Sequence, residues 1–115
     1  MAKNLDVILL FDIYGEMLTQ KQQDFICYYY NDDLSLAEIA ESTGISRQGV
    51  RDNIVRAENT LREVERKTGV VKRFEEMQLS ISKIEEELRM LSSNLEGSNK
   101  VSAEEIISKL QELKG

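Results

Sequence analysis

The sequence predicts an all-α protein with a helix-turn-helix at its centre, on three observations. Its 115 residues include no proline, and 31% are charged, a composition suited to long solvated helices. Apolar residues recur at intervals of three and four along most of the chain. The stretch "LSLAEIAESTGISRQGVRDNIVRAENTL" places two helix starts on either side of a glycine turn. A chain of this length can hold one small domain with an appended helix. The expected organisation is a helix-turn-helix domain of about four helices over residues 1–69. Residues 70–115 then form a helical, coiled-coil-like extension: a long heptad-patterned helix and a short C-terminal helix.

The first helix is predicted from Leu5, Ile8, Leu9, Phe11 and Ile13, with Gly15 as a left-handed stop. Thr19 and Gln22 form a capping box for the second, in which Phe25, Ile26 and Tyr29 share a face before "NDD" ends it. A second capping box, Ser35 with Glu38, opens the third helix, whose buried stripe is Leu36, Ile39 and Ala40 and whose stop is Gly44. Ser46 caps the fourth, which carries Val50, Ile54, Ala57, Leu61 and Val64 and runs to Thr68-Gly69. Phe74, Met77, Ile81, Ile84, Leu88, Leu91 and Leu95 then alternate by three and four, the a/d pattern of a coiled coil. "EGSNK" breaks that helix, and Ser102 with Glu105 caps a last short one bearing Ile106, Leu110 and Leu113.

Function points to the third and fourth helices. Gly44 supplies the positive φ of a sharp turn, and Ala40 lets the two helices approach closely. Ile39, Ile45, Val50 and Ile54 fill the angle between them. That arrangement leaves Arg47, Gln48 and Arg51 on the outer N-terminal part of the second helix, the part a helix-turn-helix inserts into the major groove. Arginine and glutamine side chains can each make paired contacts to base edges. Ser46 and Arg56 are placed to support them at phosphates. The plain alternative is a helical corner with no ligand, and Gly49, costly inside a helix, counts towards it unless it permits close approach to a partner or is simply tolerated.

The segment from "LTQKQQDF" to "RAENTL" resembles region four of bacterial sigma factors, and more closely the YlxM family of small helix-turn-helix proteins. The pieces that carry the resemblance are "LLFDIYG", "LT-KQ", "YY-DDLSL-EIA" and "SRQ-V-DNI-R-E", over about the first 65 residues. The resemblance implies a bacterial DNA-binding-like protein with a part in, or control over, the signal recognition particle pathway.

The formal net charge of -6 restricts how nucleic acid could be held. Residues 1–35 set Lys3 and Lys21 against Asp6, Asp12, Glu16, Asp24, Asp32 and Asp33, whereas residues 46–56 set Arg47, Arg51 and Arg56 against Asp52 alone. The basic stripe is therefore local, and binding by one copy should be weak and salt-dependent. No catalytic group, metal or cofactor is expected. Histidine is absent, and Cys27 reads as a small core residue with no basic neighbour to activate it. Glu85, Glu86 and Glu87 occupy successive helical positions and read as a solvated face, and Tyr28, Tyr29 and Tyr30 as core packing with one exposed ring. With no signal peptide and no transmembrane run, the expected compartment is the cytoplasm. Two functions remain open: a DNA-binding regulator, or an adaptor that binds protein or RNA of the signal recognition particle. The heptad seam needs cover from the last helix or from a second copy, and its length favours a homodimer in an antiparallel or four-helix arrangement.

Overall fold

The computed structural model describes residues 1–115, which form six α-helices. These are α1 (Leu5–Tyr14), α2 (Gln20–Ile26), α3 (Leu36–Thr43), α4 (Arg47–Thr68), α5 (Val70–Ser92) and α6 (Gly97–Lys114). A 3-10 turn (Gly15–Met17) follows α1, and a π-helical turn (Cys27–Asn31) extends α2. The chain divides into two compact units, Met1–Val71 and Lys72–Gly115. No helix is long and apolar enough to cross a membrane.

In the first unit α1, α2 and α3 all pack on α4. Val50, Ile54, Ala57 and Leu61 of α4 are fully buried, as are Val7 and Ile39, and Leu10, Phe25, Ile26 and Tyr29 close the core around them. The helix starts follow the side-chain chemistry. Thr19 and Gln22 cap α2 reciprocally, Ser35 and Glu38 do the same for α3, and Gly44 and Gly69 take left-handed conformations at the ends of α3 and α4.

The face of α1 differs from the expected one. Val7, Leu10 and Tyr14 are buried and Leu9 and Phe11 partly so, while Leu5, Ile8 and Ile13 are exposed, Leu5 by 80%. Apolar residues surround this helix almost evenly, so their period selects no face. Polar anchors settle the rotation instead. The Tyr14 hydroxyl lies 2.6 Å from both Glu65 Oε1 and Thr68 Oγ1, and Asn4 Nδ2 donates to Glu58 Oε2 over 3.2 Å. Gly15 is also corrected: its φ is -54°, and the chain continues into the 3-10 turn. A Cβ there would stand 3.1 Å from the Phe11 ring, so glycine serves close approach at this position. Tyr29 is buried and Tyr28 and Tyr30 half-buried, so no ring of the three is exposed.

The second unit is a helical hairpin. Gln78, Ile81, Glu85, Leu88, Ser92 and Leu95 lie on the inward side of α5 and its C-terminal turn, and Ala103, Ile107, Leu110 and Lys114 on that of α6. The expected a/d seam is thus only half covered, since Phe74, Met77, Ile84 and Leu91 stay exposed. The last helix starts at Gly97 behind the extended Glu96, five residues before Ser102, so the inferred Ser102–Glu105 capping box does not form. Glu85 leaves the solvated face assigned to it. It is buried, accepting from Arg89 Nη2 (2.8 Å), Lys114 Nζ (3.0 Å) and Gln111 Nε2 (3.3 Å).

Hydrogen bonds from Arg89 and Lys114 hold the Glu85 carboxyl at about 2, below its ordinary 4.5. A folded pKa below the unfolded one means that this pairing stabilises fully above about pH 4.5 and is lost as pH falls towards 2. Glu85→Gln should therefore lower the melting temperature of the hairpin at pH 7, and the gap from the parent should close between pH 4.5 and 2. Melts followed by circular dichroism across that range check it; a gap independent of pH would mean that the charge of Glu85 contributes nothing.

Candidate nucleic-acid interface

The interface is built from the turn outward. Gly44 ends α3 at φ 76°, its N–H donating to Ala40 O over 3.0 Å, with open space where a Cβ would be. Glycine is needed there for its φ alone. The Thr43 hydroxyl donates back to Ile39 O over 2.7 Å, and Ser46 Oγ accepts from Gly49 N over 3.1 Å to cap α4. Ile39 and Val50 are fully buried, with Ala40 and Ile45 packed against them. α3, a left-handed glycine and a capped α4 thus make a helix-turn-helix.

The fourth helix presents Arg47, Gln48 and Arg51 exposed on its first two turns. Arg47 and Arg51 are four residues apart and share one side. Arg47 makes no ion pair within the chain, whereas Arg51 Nη1 lies 4.0 Å from Asp52 Oδ1 and Gln48 Nε2 donates to the same oxygen over 2.9 Å. Asp52 therefore accepts from one of the three candidate reading side chains and lies at the limit of ion pairing with a second, which sequence spacing did not reveal. Ser46 is exposed, and its oxygen is committed to the cap, leaving its O–H to donate outward. Arg56 is exposed as well, but five residues past Arg51 it points about 140° away around the helix, so the structure does not group it with the other two.

Glycine 49 has a local cause. A Cβ there would meet Ile45 Cγ2 at 2.8 Å and Ser46 Oγ at 3.1 Å, so the missing side chain lets Ile45 tuck beneath the first turn of α4. Its carbonyl accepts from Asn53 Nδ2 over 2.8 Å. The other helix of the pair carries acid: Glu38 and Glu41 are exposed on α3, beside the partly buried Leu34. The nearly buried Glu58, 4% exposed, is tied to Asn4 and lies 3.7 Å from Arg62 Nη2, which anchors α1 on α4 away from the reading turns. Cys27 is half-buried, and burial, with Asp32 and Asp24 nearby, pushes its thiol up, away from the reactive thiolate. No cluster of three or more histidine, cysteine or acidic side chains is arranged to hold a metal.

Fold and site together define an all-α helix-turn-helix protein. Residues 1–111 match the model of the UPF0122 family, described as "Putative helix-turn-helix protein, YlxM / p13 like", and the chain belongs to that family. The match runs well beyond the first 65 residues and takes in most of the hairpin. A UPF0122 protein of Listeria welshimeri is 45% identical over 80 residues, covering 70% of this chain and 73% of that protein. One from Bacillus cereus is 48% identical over 77 residues, covering 67% and 70%.

Removing a glycine from a helix interior ordinarily stabilises by about 1 kcal/mol. Gly49→Ala should forfeit that gain through its clash with Ile45, leaving the melting temperature at or below the parent's. A rise of roughly 4–8 °C, the shift expected of an unopposed 1 kcal/mol, would show that Ile45 moves aside without cost.

Proposed function

We propose that this chain is a non-enzymatic regulator that docks the first turns of α4 on a nucleic-acid duplex. It acts in the cytoplasm, as a dimer, in or upon the signal recognition particle pathway. The observation that carries the reading is the capped start of α4 behind the left-handed Gly44, which presents Arg47, Gln48 and Arg51 to solvent on one rigid support. Arg47 is free to reach a guanine edge, and Arg51 and Gln48 can exchange Asp52 for bases. Ser46 and Arg56 contribute outer contacts to phosphate.

Charge explains how an acidic chain could bind this way. Fields are screened over about 8 Å at physiological salt, so carboxylates on distant faces neither cancel the arginines nor draw DNA from afar. Glu38 and Glu41, exposed on α3, repel phosphate from that helix. The same two carboxylates and the net charge of -6 favour a second reading, an adaptor whose helix-turn-helix binds a protein or RNA component of the particle.

Anisotropy titrations with duplex DNA, the particle's RNA and its GTPase, at 50 and 200 mM salt, separate the two. For the first reading, Arg47→Glu with Arg51→Glu should keep parental helicity and lose DNA binding by at least tenfold, since each arginine contributes about 1–3 kcal/mol. Parental binding by that variant would move the interface elsewhere, and binding to RNA or GTPase with none to DNA would establish the adaptor. Asp52→Asn should tighten DNA binding, because it removes the carboxylate that competes for Gln48 and Arg51.

A further inference from the structure

The hairpin of α5 and α6 leaves one face bare. Met77, Ile84 and Leu91 follow one another at intervals of seven along α5, and Ile106 and Leu113 are spaced by seven on α6. At 100° per residue, each row lies about 70° around its helix from the side turned to the other helix, displaced in the same rotational sense. Because the two helices run antiparallel, equal displacements open to the same side of the hairpin. The five side chains therefore line one surface, and each is between 47 and 68% exposed.

We propose that this surface is where a second copy of the chain packs, making a four-helix assembly about a twofold axis. The proposal deepens the dimeric reading above, rests on it, and replaces the a/d seam with a face shared by two helices. Three observations select a second copy. The hairpin is short of a core of its own: apart from Val71, which belongs to the first unit, Ala103 and Ile107 are the buried apolar residues of its helices. Two isolated helices with so little burial are marginal in water.

The second observation is area. The shared face is about 27 Å long, the length of α6, and with helices 8–10 Å apart about 18 Å wide. That is on the order of 500 Å² in projection and more as accessible surface, near the roughly 800 Å² that each partner gives to a stable interface. The third is self-fit. Both rows repeat every seven residues, about 10.5 Å, so the knobs of one copy find equally spaced gaps on the other. The five residues carry no charge, so the two apolar rows themselves bring no like charges together when an acidic chain meets itself here.

Sedimentation equilibrium of the full chain at micromolar concentration tests this, with helicity followed in parallel. The parent should be a dimer, and Ile84→Glu and Ile106→Glu should each raise its dissociation constant at least about 100-fold, because the twofold axis buries every new charge twice. Leu79→Glu, on the far side of α5 and 73% exposed, should stay dimeric. A monomeric parent would overturn both the dimer and this surface. A dimeric parent whose Ile84→Glu and Ile106→Glu variants also remain dimeric would keep the dimer and overturn the surface. If those two variants lose helicity, Leu91→Ser, which removes the apolar contact without adding charge, decides: it should weaken the dimer about tenfold or more, and parental association would overturn the surface.

Discussion

Burial of one stripe on α4 is the constraint on which the first unit depends. Val50, Ile54, Ala57 and Leu61 are all removed from solvent, and three other helices rest on them. Burial of Val50, Ile54 and Leu61 contributes about 1.5–3 kcal/mol each, so a rotation of α4 about its axis would cost the unit most of its stability. The helix that organises the core is also the one that carries Arg47 and Arg51. The direction in which they leave the helix is set by the residues behind them. The capped Ser46 and the glycine before it place the first turn, and the stripe holds it there.

The charge distribution gives this element an uneven outlook. On one side of the turn are cationic side chains on a stiff helix, and on the other the carboxylates of Glu38 and Glu41. Asp52 sits inside the cationic group, bonded to Gln48 and 4.0 Å from Arg51. The element is thus self-neutralised in part, and on the proposed reading a ligand with closely spaced negative charge, able to replace Asp52 at both side chains, would be favoured over a single anion.

Much of this was legible in the sequence wherever one residue acts on the backbone next to it. Thr19 with Gln22, Ser35 with Glu38, Ser46, Gly44 and Gly69 all stand where local chemistry puts them. What periodicity could not deliver were choices made at long range. The rotation of α1 depends on Tyr14 reaching Glu65 and Thr68, some fifty residues away, on a helix whose apolar pattern is indifferent. Glu85 looked solvated among three successive glutamates, and its burial follows from Lys114 and Gln111 on the opposite helix. The start of α6 misled because Ser102 and Glu105 resemble a cap, whereas the turn before Gly97 had already reversed the chain. In the candidate site the arginines were visible, but Asp52 as their partner and Ile45 as the reason for Gly49 were not.

The last turn of α6 holds more than its position suggests. Lys114 supplies a cation to Glu85 through its side chain, and its carbonyl accepts from Gln78 Nε2 over 3.0 Å. Both partners lie on α5 and are made some thirty residues earlier. During synthesis, then, the Glu85 carboxylate leaves the ribosome paired only with Arg89 of its own helix, and the Gln78 amide lacks its acceptor until the last turn of α6 has also cleared the exit tunnel. The first unit, whose interactions are complete by Val71, can fold while the hairpin is still open. The two parts of this small protein are thus finished at different times, and the hairpin is the later.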